Sequence, residues 1–209
     1  MSENNDADIK PWLSIWVSPR KTIRWIRQKD PDDMVILLAS FAGFSEILVS
    51  ASRLNLGDHL AIPVIFAMAV VLGPFMGIAG LILISVLLWW TGSWLGGESR
   101  LNMIRAALAW SFFPIICYSI LWIPKYLLLG DVLFESRVVI FGSKGHLLIV
   151  GFNVLRLMIV IWSIVIFLNC LGEVQKFGIW KALTNSILAT GILILVVLFI
   201  AAVIGVTIN

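Results

Sequence analysis

The chain has 209 residues, 60% hydrophobic and 13% charged, with a mean hydropathy of +1.02. A soluble domain carries roughly 25% charged residues, so this composition excludes an ordinary soluble fold and points to a membrane protein. The net charge of +3 and a pI near 9.1 do not argue for nucleic acid, because six of the fifteen Lys and Arg residues lie within the first 29 and such clustering suits an anionic membrane surface.

Met1 to Lys10 is acidic and polar, and the first sustained apolar run opens only at Met34, so no cleavable signal is expected. In the stretch PWLSIWVSPRKTIRWIRQKDPDD, Ser18-Pro19 is a helix start. Over Pro19 to Lys29, Arg20, Arg24 and Arg27 fall on one face, and Ile23 and Ile26 form an apolar strip beside it. The spacing predicts an amphipathic helix lying flat on the membrane with its arginines snorkelling to the headgroups. With Trp12, Trp16, Lys21 and Trp25 it makes an interfacial basic and aromatic face, turned to anionic lipid or to a cytoplasmic protein partner.

Five apolar runs follow, each close to or above the roughly 20 residues that a spanning helix needs. They are Met34 to Ala51, Ala61 to Trp90, Met103 to Ile123, Leu147 to Leu171, and Ala182 to Val206. Asp30-Pro31-Asp32-Asp33 is expected to cap the first, Pro63 to sit in the first turn of the second, and Pro124 to stop the third. The second run would be about 45 Å long as a straight helix, against a hydrocarbon core of about 30 Å. Within it Ala69, Gly73 and Gly77 repeat every four residues beside Pro74, a pattern for close helix packing with a kink, or for a hinge lining a pore.

Lys and Arg number ten in the N-terminal tail, Gly92 to Arg105 and Gly172 to Lys181 together. The opposite connections hold four, at Arg53, Lys125, Arg137 and Lys144. The positive-inside rule then predicts a cytoplasmic N-terminus and an outer C-terminus. Inside the runs lie Glu46, Arg156 and, near the start of the third, Arg105, which can snorkel. Glu46 and Arg156 sit at heights of about 18 and 21 Å from the same end of their spans. They are expected to form an intramembrane charge pair if the first and fourth spans are neighbours, with Arg53 as the rival partner of Glu46.

Three segments carry a family likeness. PWLSIWVSPRKTIRWI with the following Asp-Pro resembles the start of bacterial members of the Yip family, the Ypt/Rab-interacting-protein type of polytopic membrane domain. Gly96-Gly97-Glu98-Ser99-Arg100, leading into Arg105-Ala106-Ala107-Leu108-Ala109-Trp110-Ser111 and Pro114, is similar to that family's connection between second and third spans. Leu171-Gly172-Glu173-Val174-Gln175-Lys176-Phe177-Gly178 with Trp180-Lys181-Ala182-Leu183 is similar to its connection into the last span. The resemblance implies a five-span membrane domain over nearly the whole chain. Eukaryotic members are linked to Rab GTPases through a longer cytoplasmic region and an Asp-Leu-Tyr-Gly-Pro-like segment; this sequence departs from them in both, which implies a bacterial plasma-membrane protein.

Signs of catalysis are few. His59 and His146 are the only histidines and have no clustered acids or thiols, so no metal site is expected. Cys117 and Cys170 fall at different depths, which suits core packing rather than a disulfide. The sequence contains no His-Glu-x-x-His, phosphate-cradling glycine loop or nucleophile elbow, so neither an enzyme nor a cofactor is expected. The sequence therefore reads as an all-α integral membrane bundle of five transmembrane helices over residues 34–209, preceded by a cytoplasmic tail over 1–33 with an interfacial amphipathic helix. Its expected function is a non-enzymatic adaptor in the bacterial inner membrane that organises membrane and protein partners through its cytoplasmic basic face, with room for a homo-oligomer. The alternative is a small-solute transporter or channel using the kinked second span with Glu46 and Arg156.

Overall fold

The computed structural model describes residues 9–135 and 143–208. Regular structure among them is helical throughout, and five segments are long and apolar enough to cross a membrane: Val35–Arg53, Ile62–Trp94, Leu101–Phe134, Leu147–Val174 and Ile179–Ile204. These agree with the five runs read from the sequence. His146 and the cations Arg137 and Lys144 used in the charge count lie outside the residues whose side chains are described.

Two short helices precede the first span, α1 (Pro11–Val17) and α2 (Pro19–Lys29). Each opens on a proline, whose missing N–H would have no helical partner in the first turn anyway. The first span, α3 (Val35–Arg53), does not begin as expected. Asp30-Pro31-Asp32-Asp33 forms a turn rather than a cap, with the Asp32 N–H donating to the Asp30 carboxylate at 3.0 Å. Met34 then takes a left-handed conformation at φ 60°, and no acid enters the first turn of α3. The Asp30 carboxylate is spent on the local turn.

The second span is α4 (Ile62–Trp94), with Pro63 in its first turn as expected. Its 33 residues run unbroken through Pro74 and measure about 50 Å. The interruptions fall instead in the third span, which is split into α5 (Leu101–Ser111), α6 (Phe113–Ser119) and α7 (Trp122–Leu129), then a 3-10 turn over Gly130–Phe134. Pro114 and Pro124 explain the splits, since each lacks an N–H for the carbonyl four residues earlier and its ring crowds that carbonyl. Pro124 thus lies in the first turn of a further helix and does not stop the span. The chain continues into α8 (Ser143–Val174) and α9 (Ile179–Ile208).

The closest helix pair is α3 with α4, and the small-residue stripe explains why. Ala69 and Gly73 are buried, and Cβ atoms added at Gly43, Gly73 or Gly77 would overlap backbone atoms of the facing helix. Side chains therefore do not separate the two backbones there, the geometry that small residues at four-residue spacing permit in membranes. The broken third span comes next: α5 and α6 pack against α3 on one side and α8 on the other. The last span is peripheral, with 6% of its most apolar window buried against 44% for the first.

Candidate functional site

One end of the bundle gathers the N-terminal helices, the connection between α4 and α5, and the turn between α8 and α9. These are the segments that carried the family likeness. Helix α2 lies on α8 and sends Ile23 and Ile26, 1% and 2% exposed, into a core with Ile104, Trp110 and Leu171. Its apolar strip is therefore spent on protein rather than on lipid. Helix α1 joins the same cluster through Ile15, while the Trp12 ring packs at a tilt 5.0 Å from Trp110 and 5.1 Å from Phe113, and Trp16 meets Phe113 edge-on. Leu13 and Val17 on α1 remain exposed.

The basic stripe divides in two. The Arg20 Nε donates to Asn169 Oδ1 at 3.1 Å, and Arg24 engages the Glu173 carboxylate at 2.9 Å through both Nε and Nη2, so these two arginines tie α2 to α8. Arg27, with Lys21 and Lys29, stays exposed, and Lys29 lies 5.0 Å over the Trp25 ring in a cation–π contact. Uniform snorkelling of the stripe is thus corrected: two of its arginines act as struts. Arg105 likewise reaches Asp32 at 3.5 Å instead of serving only as a membrane anchor.

Two helix ends are built alike at this site. In α4, Gly96 adopts φ 80°, with the Gly97 N–H bonded to the Gly92 carbonyl and the Gly96 N–H to that of Ser93. In α8, Lys176 adopts φ 58°, with the Phe177 N–H bonded to the Gly172 carbonyl and the Lys176 N–H to that of Glu173. Both are Schellman endings, for which glycine is the usual left-handed residue. Lys176 accepts that conformation while its ammonium pairs with Glu98, which follows the other ending. Glu98 lies outside the spans, and the hydrogen bond and charge of Lys176 hold its carboxyl below the usual carboxylate range.

Beneath this pair lies a buried polar cluster that the sequence reading did not single out. Thr91, Gln175 and Asn185 are at most 1% exposed. The Asn185 amide donates to the Leu88 carbonyl at 3.1 Å, its oxygen lies 2.6 Å from the Thr91 hydroxyl, and the Gln175 amide donates to the same Leu88 carbonyl at 3.3 Å. Asn185, the one side-chain amide in the last run, was the available signal. The cluster ties α9 and the end of α8 to α4, since a buried polar group without partners would cost more than the net gain of a satisfied one.

Toward the opposite end, the structure does not assemble the Glu46 and Arg156 pair. The third span stands between their helices, and the ion-pair partner of Glu46 among the described residues is Arg53, at 4.0 Å, with both side chains about two-thirds exposed. Glu46 borders a lateral pocket of ≈ 310 Å³ between α3, α4 and the Phe112 break. Arg156 instead lies on α8, which packs against α5 and α6 of the third span. Height agreed, but adjacency failed. Without that adjacency, Glu46 and Arg156 lend no geometric support to solute transport. His59 is exposed in the first connection, and Cys117 and Cys170 are free thiols, the second fully buried.

Against known families, the model described as the Yip1 domain matches residues 13–201. No curated protein and no solved structure matches the chain.

Proposed function

The chain belongs to the Yip1 domain family, and from that premise we propose that it is a non-enzymatic membrane adaptor whose working surface is the basic, tryptophan-rich end of the bundle. The observation that carries this reading is the convergence of the N-terminal helices with both connections on one end. In residues 9–34, 95–105 and 172–181 together there are ten Lys and Arg against five Asp and Glu. Lys21, Arg27, Lys29, Arg100 and Lys181 remain exposed there. A platform of that charge on a rigid base suits anionic lipid and acidic protein surfaces, and the charge asymmetry favours the cytoplasmic side of a bacterial plasma membrane.

A photo-crosslinking amino acid at Arg27 or at Lys181, in cells expressing the full chain, tests this. We expect a discrete protein adduct from both positions and none from Leu54, which is exposed at the far end. Identical adduct patterns at all three positions, or no protein adduct at Arg27 and Lys181, would remove the adaptor reading.

A further inference from the structure

A pocket of ≈ 340 Å³ opens between the start of α2 and the flank of α8. Its polar wall is Ser18, Arg20, Lys21 and Asn169; its apolar wall is Trp162, Val165 and Ile166, with Trp16 and Val17 at the rim. No carboxylate lines it. We infer that this pocket holds the phosphate of an anionic glycerophospholipid, with the acyl chains descending along Trp162 and Val165.

Depth supports the assignment. Helix α8 has 32 residues, about 48 Å, so with a core of about 30 Å some 9 Å extends beyond the hydrocarbon at each end. Asn169 lies about 8 Å from the Val174 end and Trp162 about 18 Å from it. The polar wall thus meets the headgroup boundary, and the apolar wall runs from about 3 Å inside the hydrocarbon at Ile166 to about 9 Å at Trp162, the depth an acyl chain occupies. Trp162 and Val165 are 44% and 38% exposed, facing out of the bundle where an acyl chain would run.

Charge is complementary at the same height. Lys21 is exposed with its ammonium available, and Arg20 is oriented by its Nε bond to Asn169. Ser18 makes no side-chain cap, so the first-turn amides of α2 add their partial positive charge to the two cations. The volume falls at the low end of the roughly 300–1,000 Å³ typical of small-ligand pockets, room for a headgroup while the chains stay in the bilayer. Trp16, at the rim beside the headgroup boundary, fits the interfacial level at which such rings settle. This site deepens the platform proposed above and rests on it only for which leaflet supplies the lipid.

The experiment reconstitutes the full chain in bilayers and measures the motionally restricted fraction of spin-labelled phosphatidylglycerol against phosphatidylcholine. The wild-type chain should prefer phosphatidylglycerol. Lys21→Gln should lower that preference about five-fold, the loss expected when a cation lining the phosphate pocket, rather than one on the open surface, is removed. Val165→Trp, which fills the pocket without changing charge, should lower it comparably, whereas Arg27→Gln, on the exposed stripe outside the pocket, should leave it within two-fold. Equal losses from Lys21→Gln and Arg27→Gln would reduce the effect to diffuse attraction and overturn the site. Retained preference in Val165→Trp would overturn it as well. Displacement by millimolar inorganic phosphate would assign the pocket to a free anion instead. Lipid selectivity without crosslinked protein would leave this site standing while removing the adaptor reading.

Discussion

Gly43 on α3 faces Gly73 and Gly77 on α4, and replacing it with alanine tests whether backbone contact there sets the geometry of the bundle. An added Cβ would stand 2.6 Å from the Gly77 amide nitrogen and 2.8 Å from its Cα, closer than carbon atoms approach without displacement. The obstacles are backbone atoms of a continuous helix, so no rotamer change relieves them. Overpacking of this kind costs about 1–3 kcal/mol, and the rigidity of the obstacle places Gly43→Ala in the upper part of that range. Gly80 supplies the matched control, because a Cβ there meets nothing within 4 Å. Gly80→Ala should gain about 0.5–1 kcal/mol from reduced backbone freedom in a helix interior. SDS-induced unfolding in mixed micelles, followed by tryptophan fluorescence, should therefore separate the two variants by at least about 2 kcal/mol in opposite directions. Equal midpoints for Gly43→Ala and Gly80→Ala would refute the claim that α3 and α4 meet through their backbones.

Asn185→Leu should destabilise by about 1–2 kcal/mol in the same assay, and adding Thr91→Val should cost less than it does alone, because the hydroxyl's side-chain partner is already gone. A double-mutant cycle between Glu46 and Arg53 should show coupling, whereas one between Glu46 and Arg156 should be additive; coupling only in the second would restore the charge pair that the third span separates. The Glu98 carboxyl should titrate below an ordinary glutamate by NMR and return to normal in Lys176→Met or at high salt. Because its folded-state pKa is depressed, whatever the pair contributes is present above the ordinary glutamate range and lost as pH falls through the folded value. In a chain lacking Cys117 and Cys170, cysteines at Lys176 and His59 should label from opposite sides of the membrane, and labelling from one side would break the span count.

Much of the architecture was legible because a bilayer makes length and hydropathy decisive: a helix must hold about 20 apolar residues, and the five runs satisfied that criterion without tertiary information. Local stops and starts were less legible. Pro63 behaved as its position predicts, yet Pro74, in an equally apolar setting, left α4 unbroken while Pro114 and Pro124 divided the third span. One-dimensional rules assign a proline the same N–H deficit everywhere; whether the helix closes around it depends on neighbours that can restrain the backbone. Glu46 and Arg156 failed for a related reason. Their depths could be computed from rise per residue, but which helices adjoin is decided by side-chain packing.

The same limit shaped the reading of the N-terminal stretch. Ile23 and Ile26 beside a row of arginines describe an interfacial helix well, and the pattern cannot tell whether the apolar strip meets acyl chains or protein. Glu173 and Asn169, about 150 residues later, decide it, because they give Arg24 and Arg20 partners that lipid headgroups would otherwise supply. Once those two arginines are struts, the positions left wholly to lipid or protein are Lys21, Arg27 and Lys29 on the outer side of α2, while Arg20 is shared between Asn169 and the pocket beside it. They stand on a base fixed by a buried hydrophobic strip, two Schellman endings and a satisfied polar cluster. The basic surface is consequently held in one orientation relative to the spans. A flexible polybasic tail would bind anionic lipid with similar charge but could not present a shaped pocket, so discrimination between headgroups at constant charge is the property by which this arrangement departs from simple electrostatic attraction.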